Sequence, residues 1–490
     1  METNLRQHID GILHASQKAF LEYSLLSAAR RSEFVEAIAQ NISALGDALL
    51  FAAAGETNLG VERLRSERAR TISQLRLYAD AAAKGIVHDI RIDTEDKSRN
   101  PAKPDLRKIS LPLGPVVVFG ASNFPFAYST AGGDTASALA AGCSVVMKGH
   151  PAHPRTSNMV AAAIEKAAKD TGMPEGVFLH VEGTSNEIGQ ELVMHPLTSA
   201  VAFTGSLNGG RVLYDLAATR THPIPVFAEM GSLNPVFLFP SALKNNLQSI
   251  VEALASSITT GAGQFCTKPG LIIGVEGDEF SEFIELLSME VEKVGPSPML
   301  HKNIAATYLH ERSMVLEQDG VDSYLQDIED EGSPFVASVH VMEFLDNKNL
   351  QREVFGPFSL IIRCSAVDDF IQIVERLEGQ LTTSLFISEE AASQITGFIE
   401  MVSRICGRII FNGVPTGVDV AYAMQHGGPY PATTDPRFTS VGPDAIKRFL
   451  RPVSFQNCPQ HLLPAELKDD NPLNVMRLVN GMLTTMHIRS

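Results

Sequence analysis

The sequence predicts an α/β protein: a parallel sheet covered by helices on both faces, joined to a second, less regular α/β unit. Three observations predict it. Between residues 115 and 227, short apolar runs such as Val116-Val117-Val118-Phe119 alternate with helix-length segments, the pattern of strands buried on both faces. Each run ends in a turn carrying small or polar residues, and open sheets of this kind bind ligands beyond the carboxyl ends of their strands. The rhythm then restarts after Asn234-Pro235, where a domain boundary is placed.

Residues 1–90 read as helices over 5–31, 32–54 and 61–83, with apolar positions at three- and four-residue spacing between charges. Glu62, Arg63, Arg65, Glu67 and Arg68 read as a solvated, ion-paired helix face. Residues 91–110 are polar, with Pro101 and Pro104 against helix, and suit a linker or an exposed strand pair. Strands at 115–119, 144–147, 177–181, 200–203 and 225–227 then alternate with helices at 129–141, 156–170, 187–194 and 206–218. In the second unit, helices are expected at 247–260 and 280–294, and strands at 271–275, 359–363 and 383–387. The tail after Arg451 is too small to fold alone and is expected to pack on a neighbouring domain or subunit.

The 490 residues suffice for two or three domains, and the composition, 44% hydrophobic and 20% charged, is that of a globular protein. Forty Lys and Arg against 56 Asp and Glu give a net charge of −16, which repels phosphate backbones and speaks against nucleic-acid binding. No apolar run is long enough to cross a bilayer, and the stretch from Met1 to Arg6 lacks a signal-peptide layout. Five scattered cysteines (143, 266, 364, 406, 458), never in a C-x-x-C pair, imply reduced thiols in the cytoplasm and no structural zinc. His310-Glu311-Arg312-Ser313-Met314 begins like a metalloprotease helix, but Met314 stands where the second histidine belongs, so no metal is implied.

The candidate chemistry centres on Gly261-Ala262-Gly263-Gln264-Phe265-Cys266-Thr267-Lys268-Pro269-Gly270. Small residues and a forced turn bring backbone amides close to whatever reacts at the sulfur, and an ionised thiol there attacks a carbonyl. Cys143, Cys364 and Cys406 read as core, and Cys458 as exposed. Asn123, after the first strand, carries an amide able to stabilise an oxyanion. Lys148-Gly149-His150-Pro151 places a cation and a histidine where nucleotide hydroxyls or phosphates sit. In Phe203-Thr204-Gly205-Ser206-Leu207-Asn208-Gly209-Gly210-Arg211, Ser206 is a candidate N-cap whose helix start can hold a diphosphate, although the pattern is not G-x-G-x-x-G. Glu229 is a carboxylate in an apolar stretch, where burial would raise its pKa toward that of a general base.

Taken in order, Asn123-Phe124-Pro125, Phe203-Thr204-Gly205-Ser206, Glu229-Met230-Gly231, Gly263-Gln264-x-Cys266 and Glu353-x-Phe355-Gly356-Pro357 resemble the aldehyde dehydrogenase superfamily over nearly the whole chain. Gly55-Glu56-Thr57, Gln74-Leu75-Arg76, Ser122 to Pro125, Lys148 to Pro154 and Gly427 to Asp435 are similar to the branch of 2,5-dioxovalerate (α-ketoglutaric semialdehyde) dehydrogenases and NADP-dependent fatty-aldehyde dehydrogenases. The resemblance implies a Rossmann-like cofactor domain (1–233, with 91–113 as linker or oligomerisation strands), a catalytic domain (234–435) and a C-terminal segment (436–490) on the cofactor domain and a partner subunit. It implies Cys266 as nucleophile, Asn123 and the Cys266 amide as oxyanion donors, and Glu229 as the base that activates water. Lys148 would hold the adenosine ribose, Gly205, Ser206, Gly210 and the following helix the diphosphate, and Glu353, beside Phe355, the nicotinamide ribose. A homodimer or homotetramer follows from the same resemblance.

Two departures stand out. Pro151 occupies the position where NAD-using relatives carry a ribose-binding glutamate, while Lys148, His150 and Arg211 offer positive charge. NADP is therefore expected as the preferred or at least an accepted cofactor, with NAD possible. Ser232 replaces a frequent glycine, and little follows from it. A coenzyme A-acylating enzyme would discard the deacylating carboxylate, and a retired enzyme would lose one of Cys266, Asn123 or Glu229; all three are present. The expected substrate is 2,5-dioxovalerate, with aliphatic (fatty) aldehydes as the alternative. Arg155 and Arg437 are candidates for a substrate carboxylate and Phe126, Phe265 and Phe438 for a tunnel lining, each against a plain surface or core reading.

Overall fold

The computed structural model describes residues 2–325 and 330–488, so Met1, which opens the stretch read for a signal peptide, lies outside the described residues. The chain begins with α1 (Glu2–Tyr23), α2 (Ala28–Ala44), α3 (Gly46–Thr57) and α4 (Val61–Ala83). Two of the three helices expected here divide differently. Ser27 accepts a hydrogen bond from the Arg30 amide and so caps a new start, and Gly46, at φ 60°, turns the chain after α2. The charged face of α4 is not uniformly solvated either: Glu67 is buried, accepting from the amides of Phe126 (2.9 Å) and Ala127 (3.0 Å), and Arg63 leans over Phe124 and Phe265.

Strands β1 (Arg91–Asp93) and β2 (Leu106–Pro112) are followed by β3 (Val116–Phe119), α5 (Gly133–Ala141), β4 (Val145–Lys148), α6 (Pro154–Asp170), β5 (Phe178–Val181), α7 (Asn186–Met194), β6 (Ala200–Thr204), α8 (Leu207–Ala218) and β7 (Val226–Glu229). The parallel order β5-β4-β3-β6-β7 places β3 at the centre with both crossovers beside it. The pleat explains the unbroken apolar runs. Val116 and Val118 join a core shared with α2, α4, α5 and α6, whereas Val117, Val146 and Val201 face the opposite core under α1, α7 and α8.

The second sheet opens with β8 (Val236–Leu238), α9 (Pro240–Thr259), β9 (Leu271–Val275), α10 (Asp278–Glu292), α11 (Lys302–Leu316), β10 (Asp322–Ser323), β11 (Phe335–His340), β12 (Phe358–Cys364), β13 (Gln380–Phe386) and β14 (Cys406–Phe411). Its order is β10-β11-β12-β9-β8-β13-β14, parallel except at β10. Leu271, Ile273, Leu360 and Ile362 fill one core, and Val236, Ile272, Val336 and Ile361 the other. Strands β15 (Leu450–Gln456), β16 (Arg477–Val479) and β17 (Met482–Thr484) complete a third sheet, β15-β2-β1-β16-β17, so the C-terminal tail pairs with the polar strands at 91–112. No single helix among the described residues is long and apolar enough to cross a membrane.

Candidate active site

The cysteine loop gets its shape from three consecutive left-handed residues, Gly261 (φ 59°), Ala262 (φ 52°) and Gly263 (φ 62°), after the end of α9. Glycine is required at 263 by contact as well: a Cβ there would lie 2.4 Å from the carbonyl of Gly356, in the Glu353-x-Phe355-Gly356-Pro357 segment. Asn234 braces the loop from below. Its Nδ2 donates to the carbonyls of Cys266 (2.8 Å) and Lys268 (3.0 Å), and its Oδ1 accepts from Ser232 (3.0 Å) and Thr382 (2.9 Å). Gln380 Oε1 in turn accepts from Ser232 Oγ and from the amides of Leu233 and Asn234. Ser232, read as uninformative in the sequence, therefore anchors the loop that carries the thiol.

Three groups meet above that loop. The Cys266 sulfur lies 3.6 Å from Nε2 of His426, and the same nitrogen lies 2.9 Å from Oε1 of Glu229. The ligand atoms of Cys266, His426 and Glu229 are all within 4.8 Å of one another. Glu229 ends β7, and residues 432–434 run antiparallel beside it, with Met230 N donating to Ala432 O (2.8 Å). The same segment brings Ser440, whose hydroxyl donates to Glu229 Oε2 at 2.6 Å. Asn123, after β3, donates its amide to the Gln264 carbonyl (3.1 Å), two residues before the thiol, and its second N–H remains for another acceptor.

The electrostatics revise one expectation. Burial alone would push Glu229 up, but His426 beside it, with Ser440 and Cys266 as hydrogen-bond donors, leaves it below the ordinary carboxylate value. The carboxylate is thus ionised, not held neutral. Cys266 moves the other way: burial first, then the negative charge of Glu229, raises it well above the usual thiol range. The resting sulfur is a thiol, and ionisation requires a base within reach. Glu229, to which Cys266 donates, stands in that place together with His426, which the sequence reading missed and whose signal was a histidine directly before the Gly427-Gly428-Pro429 turn.

Beneath the loop, Glu353 is packed so closely on Gly231 that a Cβ there would lie 2.2 Å from Oε2. Burial raises Glu353, and the buried Lys268 ammonium, which donates to the Val354 (3.2 Å) and Phe358 (2.5 Å) carbonyls, opposes that. Phe355 follows it in the segment against Gly263.

The remaining expected residues lie at the strand ends of the first sheet. Ser206 caps α8, its hydroxyl accepting from the Gly209 amide (3.2 Å), and the Gly205–Asn208 turn is exposed. A Cβ at Gly205 would strike the Phe203 ring at 2.6 Å, and one at Gly210 the Met230 sulfur at 2.6 Å. Lys148 ends β4 and donates to the carbonyls of Gly149 (3.0 Å) and Gly183 (2.5 Å). His150 contributes no charge: burial first, then His153, His301 and Lys148, pushes it down to about 3, and it stacks with His153 (5.6 Å) and His301 (6.3 Å). Arg211 is paired with Asp215 (2.7 Å) and reaches Tyr430 Oη at 3.4 Å. Of the carboxylate candidates, Arg437 is bound to Asp435 (2.8 Å) and largely exposed, and Arg155 is exposed near the start of α6. Phe126 is core; Phe265 faces Arg63 and Phe124, and Phe438 packs on Phe227.

Comparison with known proteins identifies the family. The profile of the aldehyde dehydrogenase family matches residues 2–449. An alpha-ketoglutaric semialdehyde dehydrogenase of Acinetobacter baylyi is 44% identical over 97% of this chain and 91% of its own length. Alpha-ketoglutaric semialdehyde dehydrogenase 2 of Azospirillum brasilense is 45% identical over 95% and 90%. A glyceraldehyde-3-phosphate dehydrogenase from Methanocaldococcus jannaschii, crystallised with NADP, shares the fold at 21% identity, with a TM-score of 0.78 over 92% of this chain and 94% of its own. The chain therefore belongs to the aldehyde dehydrogenase family and is an oxidoreductase that oxidises aldehydes with NAD(P).

Proposed function

We propose that this enzyme oxidises 2,5-dioxovalerate to 2-oxoglutarate, with NADP as the favoured cofactor and NAD accepted. The juxtaposition of Cys266, His426 and Glu229 carries the chemical reading, and the two alpha-ketoglutaric semialdehyde dehydrogenases at 44% and 45% identity support the substrate. In this reading, the His426–Glu229 pair accepts the thiol proton as Cys266 adds to the aldehyde carbon, so the thiolate forms only when it is used. The Asn123 amide and the Cys266 backbone N–H stabilise the oxyanion of the thiohemiacetal. NAD(P), when bound, supplies the acceptor for the hydride that leaves that adduct. Once the thiol proton has passed to solvent, Glu229, ionised and adjacent, draws a proton from the water that hydrolyses the thioester, releasing the acid and freeing Cys266. A deacylating carboxylate at this place favours water over coenzyme A as the acceptor.

The strand ends fit an anionic dinucleotide. The exposed amides at the start of α8 suit a diphosphate, and Gly205 and Gly210 let that turn and helix pack closely on Phe203 and Met230. Lys148 suits the adenosine ribose, with the His150 ring as an uncharged neighbour and Arg211 at the rim. Glu353 and Phe355 suit the nicotinamide ribose. With Pro151 in place of a carboxylate, nothing at that position repels a 2′-phosphate. Residues 1–233 then form the cofactor domain, 234–435 the catalytic domain, and 436–490 the assembly segment of a cytoplasmic dimer or tetramer. The exposed Met482 and Leu483 on β17 support that last role.

Steady-state rates on 2,5-dioxovalerate and pentanal, each with NADP and with NAD, test this reading. A higher kcat/KM for the charged aldehyde with NADP is expected. Equal values for the two aldehydes would favour the aliphatic alternative, and turnover confined to NAD would refute the cofactor assignment.

A further inference from the structure

Three arginines around the thiol have buried guanidinium N–H groups with no acceptor: Nη1 of Arg63, Nη1 of Arg70 and Nε of Arg408. A buried charged donor without a partner is costly, so three of them in one place call for an acceptor. Arg63 and Arg70 stand two turns apart on one face of α4. Arg63 donates through Nη2 to the Asn123 carbonyl (2.9 Å) and lies 4.6 Å from the ring centre of Phe265, the residue before the thiol. Arg70 donates through Nε to the Val418 carbonyl (3.2 Å), with Nη2 at 3.4 Å from Tyr128 Oη. The Tyr128 ring is itself 6.1 Å from that of His426. Arg408, from β14, holds the same loop through the carbonyls of Gly417 (3.0 Å) and Pro415 (2.7 Å). The charges of Arg70 and Arg408 both act on Cys266.

The opposing carboxylates do not cancel this cluster. Glu67, between Arg63 and Arg70 on α4, spends Oε1 on two backbone amides, leaves Oε2 buried and unpaired, and acts on both arginines, so it offsets one charge of the three. Asp419 acts on Arg408 alone among the three. Three guanidinium groups against the one buried carboxylate of Glu67 thus leave this cluster positive, near a thiol whose other charged neighbours are Glu229 and Glu353.

We propose that Arg63, Arg70 and Arg408 form the anion subsite of the aldehyde pocket, binding the far carboxylate of a short 2-oxo acid semialdehyde through their unpaired N–H groups. This rests on the reading of 2,5-dioxovalerate as substrate, whose carboxylate is four bonds from the reacting carbon, and it moves carboxylate recognition away from Arg155 and Arg437. Guanidinium forks suit the task because they present paired donors to a carboxylate and stay charged when buried.

The test compares kcat/KM for 2,5-dioxovalerate and pentanal in the parent and in Arg70→Met, and measures glutarate as an inhibitor of pentanal oxidation. The ratio of the two kcat/KM values should fall roughly 10- to 100-fold in Arg70→Met, the range for losing charge-assisted hydrogen bonds. Arg70→Lys should recover part of it, and glutarate inhibition should be lost. The ratio is independent of how much enzyme folds; should Arg70→Met yield none, Arg63→Met and Arg408→Met give the same readout. An unchanged ratio, or persisting glutarate inhibition, overturns the subsite. A parent with no advantage for 2,5-dioxovalerate overturns the substrate reading instead; loss of glutarate inhibition in the variant then still supports the subsite.

Discussion

Replacing His426 by phenylalanine tests the base assignment. The imidazole is 1% exposed, so a ring of similar size fills its place without opening a large cavity. In the parent, burial and the Glu229 charge raise the Cys266 thiol above its ordinary value. Even an unperturbed thiol of pKa about 8.5 is only about 3% ionised at pH 7. Spontaneous ionisation therefore supplies little nucleophile, and the His426–Glu229 pair beside the sulfur takes the proton. Removing a positioned base is expected to lower kcat/KM by roughly 10²- to 10³-fold, about 2.7 to 4 kcal/mol. The residual rate should climb with pH well past the point where the parent levels off, since hydroxide replaces the missing base. Reduced-nicotinamide absorbance between about pH 6 and 10 reads both effects, and added imidazole should restore part of the rate in His426→Ala. A phenylalanine variant within threefold of the parent, with the same pH profile, would refute the reasoning.

Three other outcomes follow from the same geometry. Asn234→Ala removes the two donors to the Cys266 and Lys268 carbonyls and leaves buried groups unpaired, so urea denaturation should show a loss of about 2–4 kcal/mol. Gly263→Ala drives a Cβ to 2.4 Å from Gly356 and should abolish turnover, whereas Gly11→Ala, in α1 with nothing within 4 Å, should raise stability by about 0.5–1 kcal/mol. Glu229 is held below the ordinary carboxylate pKa, so its contacts stabilise the fold above that value and are lost as pH falls through the lower folded one. The stability difference between the parent and Glu229→Gln should therefore shrink below about pH 4, read from urea midpoints.

The parallel sheets were legible because both faces of each are buried, which leaves uninterrupted apolar runs; β9 was read residue for residue as 271–275. Helix α4 was placed correctly at 61–83, but its inward side was not. Arg63, Glu67 and Arg70 alternate in sign along the sequence like any solvated face, and only packing against the turns after β3 and α9 draws them inward. His426 lies 160 residues from Cys266, and no local periodicity records a contact made by two loops so far apart in the chain. Strands β11 and β14 escaped notice because alanine, serine, glycine and arginine interrupt their apolar runs. The Gly55-Glu56-Thr57 segment, informative only as a likeness, has a physical use: the Glu56 carboxylate accepts from the amides of Arg155 (2.8 Å) and Thr156 (2.9 Å) and caps α6.

The measurement closest to the central claim is the mass of the peptide containing Cys266 after Glu229→Gln is incubated with 2,5-dioxovalerate and NADP. With the water-activating carboxylate removed, the acyl group should accumulate on Cys266, and Cys266→Ser should show neither adduct nor turnover. An acyl group found on Cys458 instead, or aldehyde oxidation by Cys266→Ser at the parent rate, would contradict the account.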